Sequence, residues 1–106
     1  MQIKNTSEEV WNEITKHDIK YEVSNLGNVR FAENKELVPR KKDKGDYHMV
    51  KLYKKNKPYW YSIARLVAEA FIKNYDASKG VGYRFKKDCN LDNIYLYQFN
   101  PSGYYY

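Results

Sequence analysis

The chain of 106 residues has few of the residues that build disulfide scaffolds and metal centres: one cysteine, Cys89, and two histidines, His17 and His48. A single cysteine excludes an internal disulfide and a zinc site built from several cysteines. No apolar run approaches the ~20 residues of a membrane-spanning helix, and the N-terminus has no apolar signal-peptide segment. We therefore expect a cytoplasmic protein without a membrane partner.

Acidic residues are scarce in one segment, residues 40–57, which we call the basic segment. It contains only Asp43 and Asp46 against eight cations, so it carries the whole net charge of +6. Such a concentrated excess is typical of a surface that binds a polyanion, although a solvated lysine-rich hairpin also fits. The predicted nucleic-acid-binding residues here are Arg40, Lys41, Lys42, Lys44, Lys51, Lys54, Lys55 and Lys57.

The local pattern predicts an α+β fold with antiparallel hairpins and a central helix. Thr6 followed by Glu9 is a capping-box signature, which predicts a short first helix. Alternation around Asn25–Asn28 predicts a hairpin, followed by a short strand at Leu37–Val38 and an exposed loop at Arg40–Asp46.

The second half of the chain has clearer signals. Residues 47–61 alternate around a turn at 55–58, which predicts a basic hairpin. Ser62 is a plausible N-cap for a helix with an apolar stripe from Ile63 to Phe71. A short strand is expected at Val81–Phe85. Residues 92–97 fit either a short helix or, by their alternation, a strand, and we favour a short helical turn followed by an extended tail.

Two segments, Tyr21-Glu22-Val23-Ser24-Asn25-Leu26-Gly27-Asn28-Val29-Arg30 and Ala64-Arg65-Leu66-Val67-Ala68-Glu69-Ala70-Phe71, carry a family resemblance. In order and spacing they resemble phage and intron-encoded HNH homing endonucleases with an N-terminal modular DNA-binding motif. The length of 106 residues predicts one domain over residues 1–106. Within it, residues 9–57 are similar to the DNA-binding module, 58–97 to the ββα-metal half, and 98–106 form an aromatic tail.

The same resemblance implies that the active site is degenerate. Tyr83 stands at the general-base histidine, Gly82 at a metal ligand and Ala64 at a second histidine, while the family's Asn is kept as Asn93. Tyrosine, with a reference pKa of about 10, is a poor base at neutral pH, and glycine offers no ligand. We therefore expect no catalytic residues, no metal and no cofactor.

Several residues keep two interpretations. His48 could replace the lost base, but on a strand it is more often a packed or surface imidazole, and His17 is a weaker candidate. Asn93 either remains a metal ligand or caps the last helical turn, and Tyr83 either stacks on a base or fills core volume. Arg65 could hold a phosphate beside the former active site.

Two functions follow from these observations. The first is a catalytically inactive HNH-like protein that binds nucleic acid, with duplex DNA as the expected form. The alternative is a phage or mobile-element inhibitor, of the anti-CRISPR or anti-restriction type, that binds a host protein or ribonucleoprotein. The chain has twelve tyrosines, and five of them would form the partner-binding surface: Tyr95, Tyr97, Tyr104, Tyr105 and Tyr106.

Overall fold

Antiparallel strands dominate the part of the chain that the computed structural model describes, residues 8–14 and 18–98. There, three small sheets surround one helix, so the prediction of an α+β fold with antiparallel hairpins and a central helix is confirmed. No helix in these ranges is long and apolar enough to cross a bilayer. The strands are β1 (Trp11–Ile14), β2 (Tyr21–Ser24), β3 (Val29–Phe31), β4 (Arg40–Lys42), β5 (His48–Lys54), β6 (Lys57–Ser62), β7 (Gly80–Tyr83) and β8 (Ile94–Tyr97).

The first sheet has the order β1-β2-β3 and corrects the prediction of an N-terminal helix. Trp11–Ile14 is a strand paired with Tyr21–Ser24, and Thr6 lies outside the described residues. Glu9 accepts hydrogen bonds of 2.6 Å from Ser24 Oγ and Asn28 Nδ2 rather than capping a local helix. A long-range partner therefore outweighs the local capping-box signal.

The hairpin predicted around Asn25–Asn28 is formed by β2 and β3. Gly27 has φ +86, and a Cβ added there would lie 2.9 Å from the Cβ of Cys89, so both its conformation and its surroundings require glycine. The predicted strand at Leu37–Val38 is reduced to a single bridge between Arg30 and Leu37.

The second sheet has the order β4-β5-β6 and contains the basic segment. The predicted hairpin between residues 47 and 61 is confirmed, and its turn residues Lys55 and Asn56 have φ of 52 and 65. The prediction of a loop over Arg40–Asp46 is wrong for its first three residues. Arg40–Lys42 forms an edge strand because it pairs with His48–Val50.

The single described α-helix, α1 (Ile63–Phe71), packs against all three sheets and forms the centre of the core. Ser62 caps it as predicted, since its side chain accepts from the Arg65 amide. The helix stripe is buried together with one face of each neighbouring sheet. Core residues include Tyr21, Val23, Val50, Leu52, Ile63, Leu66, Val67 and Ile94.

The third sheet pairs β7 with β8. A short 3-10 helix, η1 (Leu91–Asn93), leads directly into β8, which agrees with the predicted helical turn followed by extended chain. Asn90 rather than Asn93 is its N-cap, because the Asn90 side chain accepts from the Asp92 amide. The cap interpretation of Asn93 was wrong.

Candidate nucleic-acid interface

All eight cations of the basic segment are exposed, and seven lie on or beside the second sheet. Lys51 is on the central strand, so edge protection by lysines does not explain the whole set. Within residues 8–14 and 18–98, the recorded ion pairs join Glu22 to Arg30 and Lys35. No carboxylate in those ranges therefore lies within ion-pair distance of a cation of the basic segment, which keeps a net charge of +6 after Asp43 and Asp46 are counted.

The hairpin tip places two like charges against each other. Lys54 and Lys57 are direct cross-strand partners, and Lys55 lies in the turn between them. Like charges opposite one another destabilise a strand pair. Asp18 Oδ2 accepts from the Lys55 amide at 2.6 Å, and the three lysine side chains of the tip remain exposed to an anionic partner.

Arg40 has an internal role besides its charge. Its guanidinium donates to the Gly27 carbonyl and, at 3.0 Å, to Asn28 Oδ1, so it joins the second sheet to the turn of the first. Its Nη1 lies 3.4 Å from Nδ1 of His48. Burial, together with the charges of Arg40 and Lys42, lowers the pKa of His48. A neutral, partly packed imidazole agrees with the structural interpretation of His48.

Arg65 is also held by internal hydrogen bonds. Its Nη1 donates to Tyr75 Oη at 2.8 Å, and its Nη2 donates to the Lys79 carbonyl at 3.0 Å. The guanidinium thus fastens α1 to the connection that leads into β7. A phosphate contact at Arg65 remains a proposal, and the contacts that the structure does provide are within the fold.

Exposed aromatic side chains lie on the same sheet as the lysines. Tyr53, Tyr59 and Trp60 are 39%, 45% and 49% exposed. A line of exposed tyrosines beside the lysines favours nucleic acid, whereas a separate apolar tyrosine patch favours a protein partner. Sequence reasoning missed Trp60, although its position in the alternating hairpin places it opposite Lys51.

The tyrosines of β8 have a structural role that the sequence did not indicate. Tyr95 pairs with Gly82 and Tyr97 with Gly80, and each ring covers its glycine. A Cβ on Gly82 would lie 2.6 Å from Cζ of Tyr95, and one on Gly80 would lie 2.3 Å from Cζ of Tyr97. Tyr104, Tyr105 and Tyr106, the other predicted partner-binding residues, lie outside the described residues.

The residues at the positions that the resemblance assigns to the active site pack or form hydrogen bonds within the fold. Tyr83 is half-buried, its ring lies 5.8 Å from that of Tyr47, and burial raises its pKa to about 12. This supports the volume-filling interpretation, and such a phenol stays protonated at neutral pH. Ala64 is fully buried at the start of α1.

The Asn93 side chain makes three hydrogen bonds to the adjacent loop. Its Oδ1 accepts from the Phe85 amide at 3.1 Å, and its Nδ2 donates to the carbonyls of Lys86 and Asp88 at 2.7 and 2.8 Å. With the Tyr95 ring over Gly82, these residues do not fit a divalent cation. Nowhere in residues 8–14 and 18–98 do three or more His, Cys, Asp or Glu side chains gather as a metal site.

Comparison with known proteins gives one motif match and one relative. Residues 9–53 match the NUMOD4 motif. The DNA endonuclease I-HmuI of Bacillus phage SP01 is 31% identical over 83 residues, which cover 78% of this chain and 46% of that protein. The chain is related to the phage HNH homing endonucleases.

A solved structure has a similar fold. The structure of the HNH homing endonuclease I-HmuI, solved for DNA binding and cleavage, matches with a TM-score of 0.74 at 24% identity. The match covers 84% of this chain and 52% of that one. This chain therefore spans about half the length of the relative that it matches.

Proposed function

We propose that the chain binds nucleic acid through the second sheet and does not cut it. Duplex DNA is the proposed ligand. The observation that carries the proposal is the set of eight exposed cations in residues 40–57, which have no carboxylate partner in the described ranges. A cationic strand-and-turn surface can contact successive phosphates of a polyanion. The NUMOD4 match over residues 9–53 and the relatedness to an endonuclease that binds DNA support the same partner.

The roles of the two halves follow from this proposal. Residues 9–57 would supply the binding surface, and residues 58–97 would be an HNH-like half that keeps its helix and strands but holds no metal. The strands of this half are fixed by the Tyr95 and Tyr97 rings over Gly82 and Gly80. The inhibitor alternative has less support, since Tyr95 and Tyr97 already serve the fold and the exposed aromatic groups of the second sheet accompany lysines.

We expect binding to weaken steeply with salt. If about four to six lysines neutralise phosphates, the logarithm of the association constant should fall with the logarithm of salt concentration at a slope of roughly −3.5 to −5.5. Fluorescence anisotropy of a labelled duplex between low and moderate salt measures the slope. A slope near zero, or no binding at low salt, would contradict the proposal.

We expect no DNA cleavage when Mg²⁺ or Mn²⁺ is added. The residues at the matched positions offer neither a ligand set nor a base that is deprotonated at neutral pH. Conversion of supercoiled plasmid to nicked circles measures the activity. Metal-dependent nicking that His48→Ala abolishes would show that the chemistry has moved to His48 and that this part of the proposal is wrong.

A further inference from the structure

The solvent side of the second sheet presents an unusual combination of side chains, which we call the open face: Lys41, Met49, Lys51, Tyr53 and Trp60. The pairing register sets them together, because Lys41 is opposite Met49 and Lys51 is opposite Trp60. The intervening residues Val50 and Leu52 point to the other side and are fully buried. The open face is therefore separate from the core.

Trp60 is the centre of the open face. It is 49% exposed, and the ammonium groups of Lys41 and Lys51 lie 5.9 and 5.7 Å from its ring centroid. The chain's other tryptophan, Trp11, is half-buried, with the Arg30 guanidinium 3.8 Å above its ring. Trp60 belongs neither to the core cluster nor to the residues packed against it, so the exposed half of its indole is available to a partner.

A depression adjoins the indole. Trp60 and Met49 line it together with Lys41, Lys42, Asp43 and Lys44. Asp43 brings one negative charge against three lysines in this lining, and its Oδ1 accepts from the amides of Gly45 and Tyr47 at 2.9 and 3.0 Å, which fixes its orientation. The site thus joins a flat aromatic wall to a cationic rim.

We propose that Trp60 stacks on an unpaired nucleobase while Lys41 and Lys51 contact the neighbouring phosphates. Aromatic groups within cationic surfaces bind bases in this way, because every base has a π face, and the stacking tolerates any sequence. The bases of an intact duplex already stack on each other, so an indole reaches a base face only where pairing is interrupted. Lysine is depleted in protein–protein interfaces, which makes a protein a poorer fit for this rim.

This inference rests on the proposed function and narrows it. The basic segment would hold the backbone of any nucleic acid, and Trp60 would add affinity only for DNA that contains unpaired nucleotides. The chain should therefore prefer single-stranded or gapped DNA to a fully paired duplex of the same length.

The test uses Trp60 as its own reporter. Because the chain has only two tryptophans, Trp11→Phe leaves Trp60 as the single tryptophan, and excitation at the long-wavelength edge of tryptophan absorption avoids the twelve tyrosines. We expect oligothymidine to quench the emission of this variant at saturation, and a fully paired duplex to quench it less. Binding that is measured by anisotropy of the labelled oligonucleotide but leaves the emission unchanged would overturn the inference.

Variants of the full chain supply the second arm. Replacing Trp60 by Ala should weaken binding of oligothymidine roughly 5- to 150-fold, the range measured for loss of one stacked base, and leave duplex affinity nearly unchanged. Trp60→Phe should retain part of the affinity. Phe85→Ala is the matched control, because Phe85 is 82% exposed and lies in the loop after β7, outside the open face.

The outcomes separate this inference from the proposed function. Equal loss with Trp60→Ala on paired and unpaired DNA, or no loss on either, overturns the stacking contact while duplex binding stands. No binding of either DNA form overturns both. Trp60→Ala must keep the far-ultraviolet circular dichroism of the parent, which shows that it is folded. The quenching experiment tests the stacking contact without that variant.

Discussion

Reversing four lysines of the second sheet, Lys41, Lys42, Lys54 and Lys55, to glutamate should abolish binding of duplex DNA. Two of them lie on the edge strand β4 and two at the tip of the β5–β6 hairpin, so the set covers both ends of the sheet. Each lost phosphate contact removes about 0.9 from the log–log salt slope, and four contacts correspond to on the order of 10³-fold in affinity at 0.1 M salt. The four new carboxylates repel the phosphates and add to this loss.

The fold should tolerate these four changes. All four side chains are exposed, and surface substitutions of this kind usually change the free energy of unfolding by about 0.5 kcal/mol or less each. Lys54→Glu also replaces the like-charge pair with Lys57 by a pair of opposite charges, which favours the hairpin. Thermal melting of the variant should therefore resemble that of the parent.

A second charge-reversal variant controls for net charge. Lys4, Lys20, Lys73 and Lys79 lie outside residues 40–57 and outside the Glu22 ion pairs, so reversing them changes the total charge equally without altering the second sheet. We expect this control to retain most of the duplex affinity. If the two variants lose affinity equally, the effect belongs to overall charge and the second sheet is not the binding surface.

The elements predicted correctly from the sequence are those whose signals are local. Alternation over residues 47–61 predicts the β5–β6 hairpin because one face of it, Val50 and Leu52, must be buried. The stripe from Ile63 to Phe71 predicts α1 for the same reason at helical spacing. Both signals depend only on which residues meet the core.

The incorrect predictions concern residues whose structure is set by partners distant in sequence. Glu9 completes a capping-box pattern, yet its carboxylate binds Ser24 and Asn28 of the next hairpin. Arg40–Lys42 has no alternating pattern and becomes a strand only because it pairs with His48–Val50. Such partners are distant in sequence and are set by the assembled sheets.

The candidate site also combines features with a local sequence signal and features set by strand pairing. The charge of residues 40–57 is visible in the sequence, and so is the tyrosine, Tyr83, at the position where the resemblance leads one to expect a histidine. The exposure of Trp60 between two lysines depends on strand register. The covering of Gly82 by Tyr95 depends on the pairing of β7 with β8. Neither contact has a local signature.

Loss of the Asn93 side chain should lower stability substantially. This side chain makes three hydrogen bonds to the backbone of the loop from Phe85 to Asp88, and the residue is only 8% exposed. At about 1 kcal/mol each, with a further cost for polar groups left without partners, Asn93→Ala should lower the free energy of unfolding by roughly 3 kcal/mol. For a domain of this size, that corresponds to a melting temperature lower by about 12–24 °C.

Two variants separate this role from the alternatives for Asn93. Asn90→Ala removes only the cap of η1, which should cost about 1 kcal/mol, so it should melt well above Asn93→Ala. Asn93→Asp keeps the shape but loses both amide donors and turns a carboxylate towards the Lys86 and Asp88 carbonyls, so it should be at least as damaging as the alanine. A retained metal ligand would behave in the opposite way, because a carboxylate binds Mg²⁺ better than an amide does. An Asn93→Asp variant that Mg²⁺ stabilises against melting would therefore show that the position still serves a cation, and that the loop contacts are secondary.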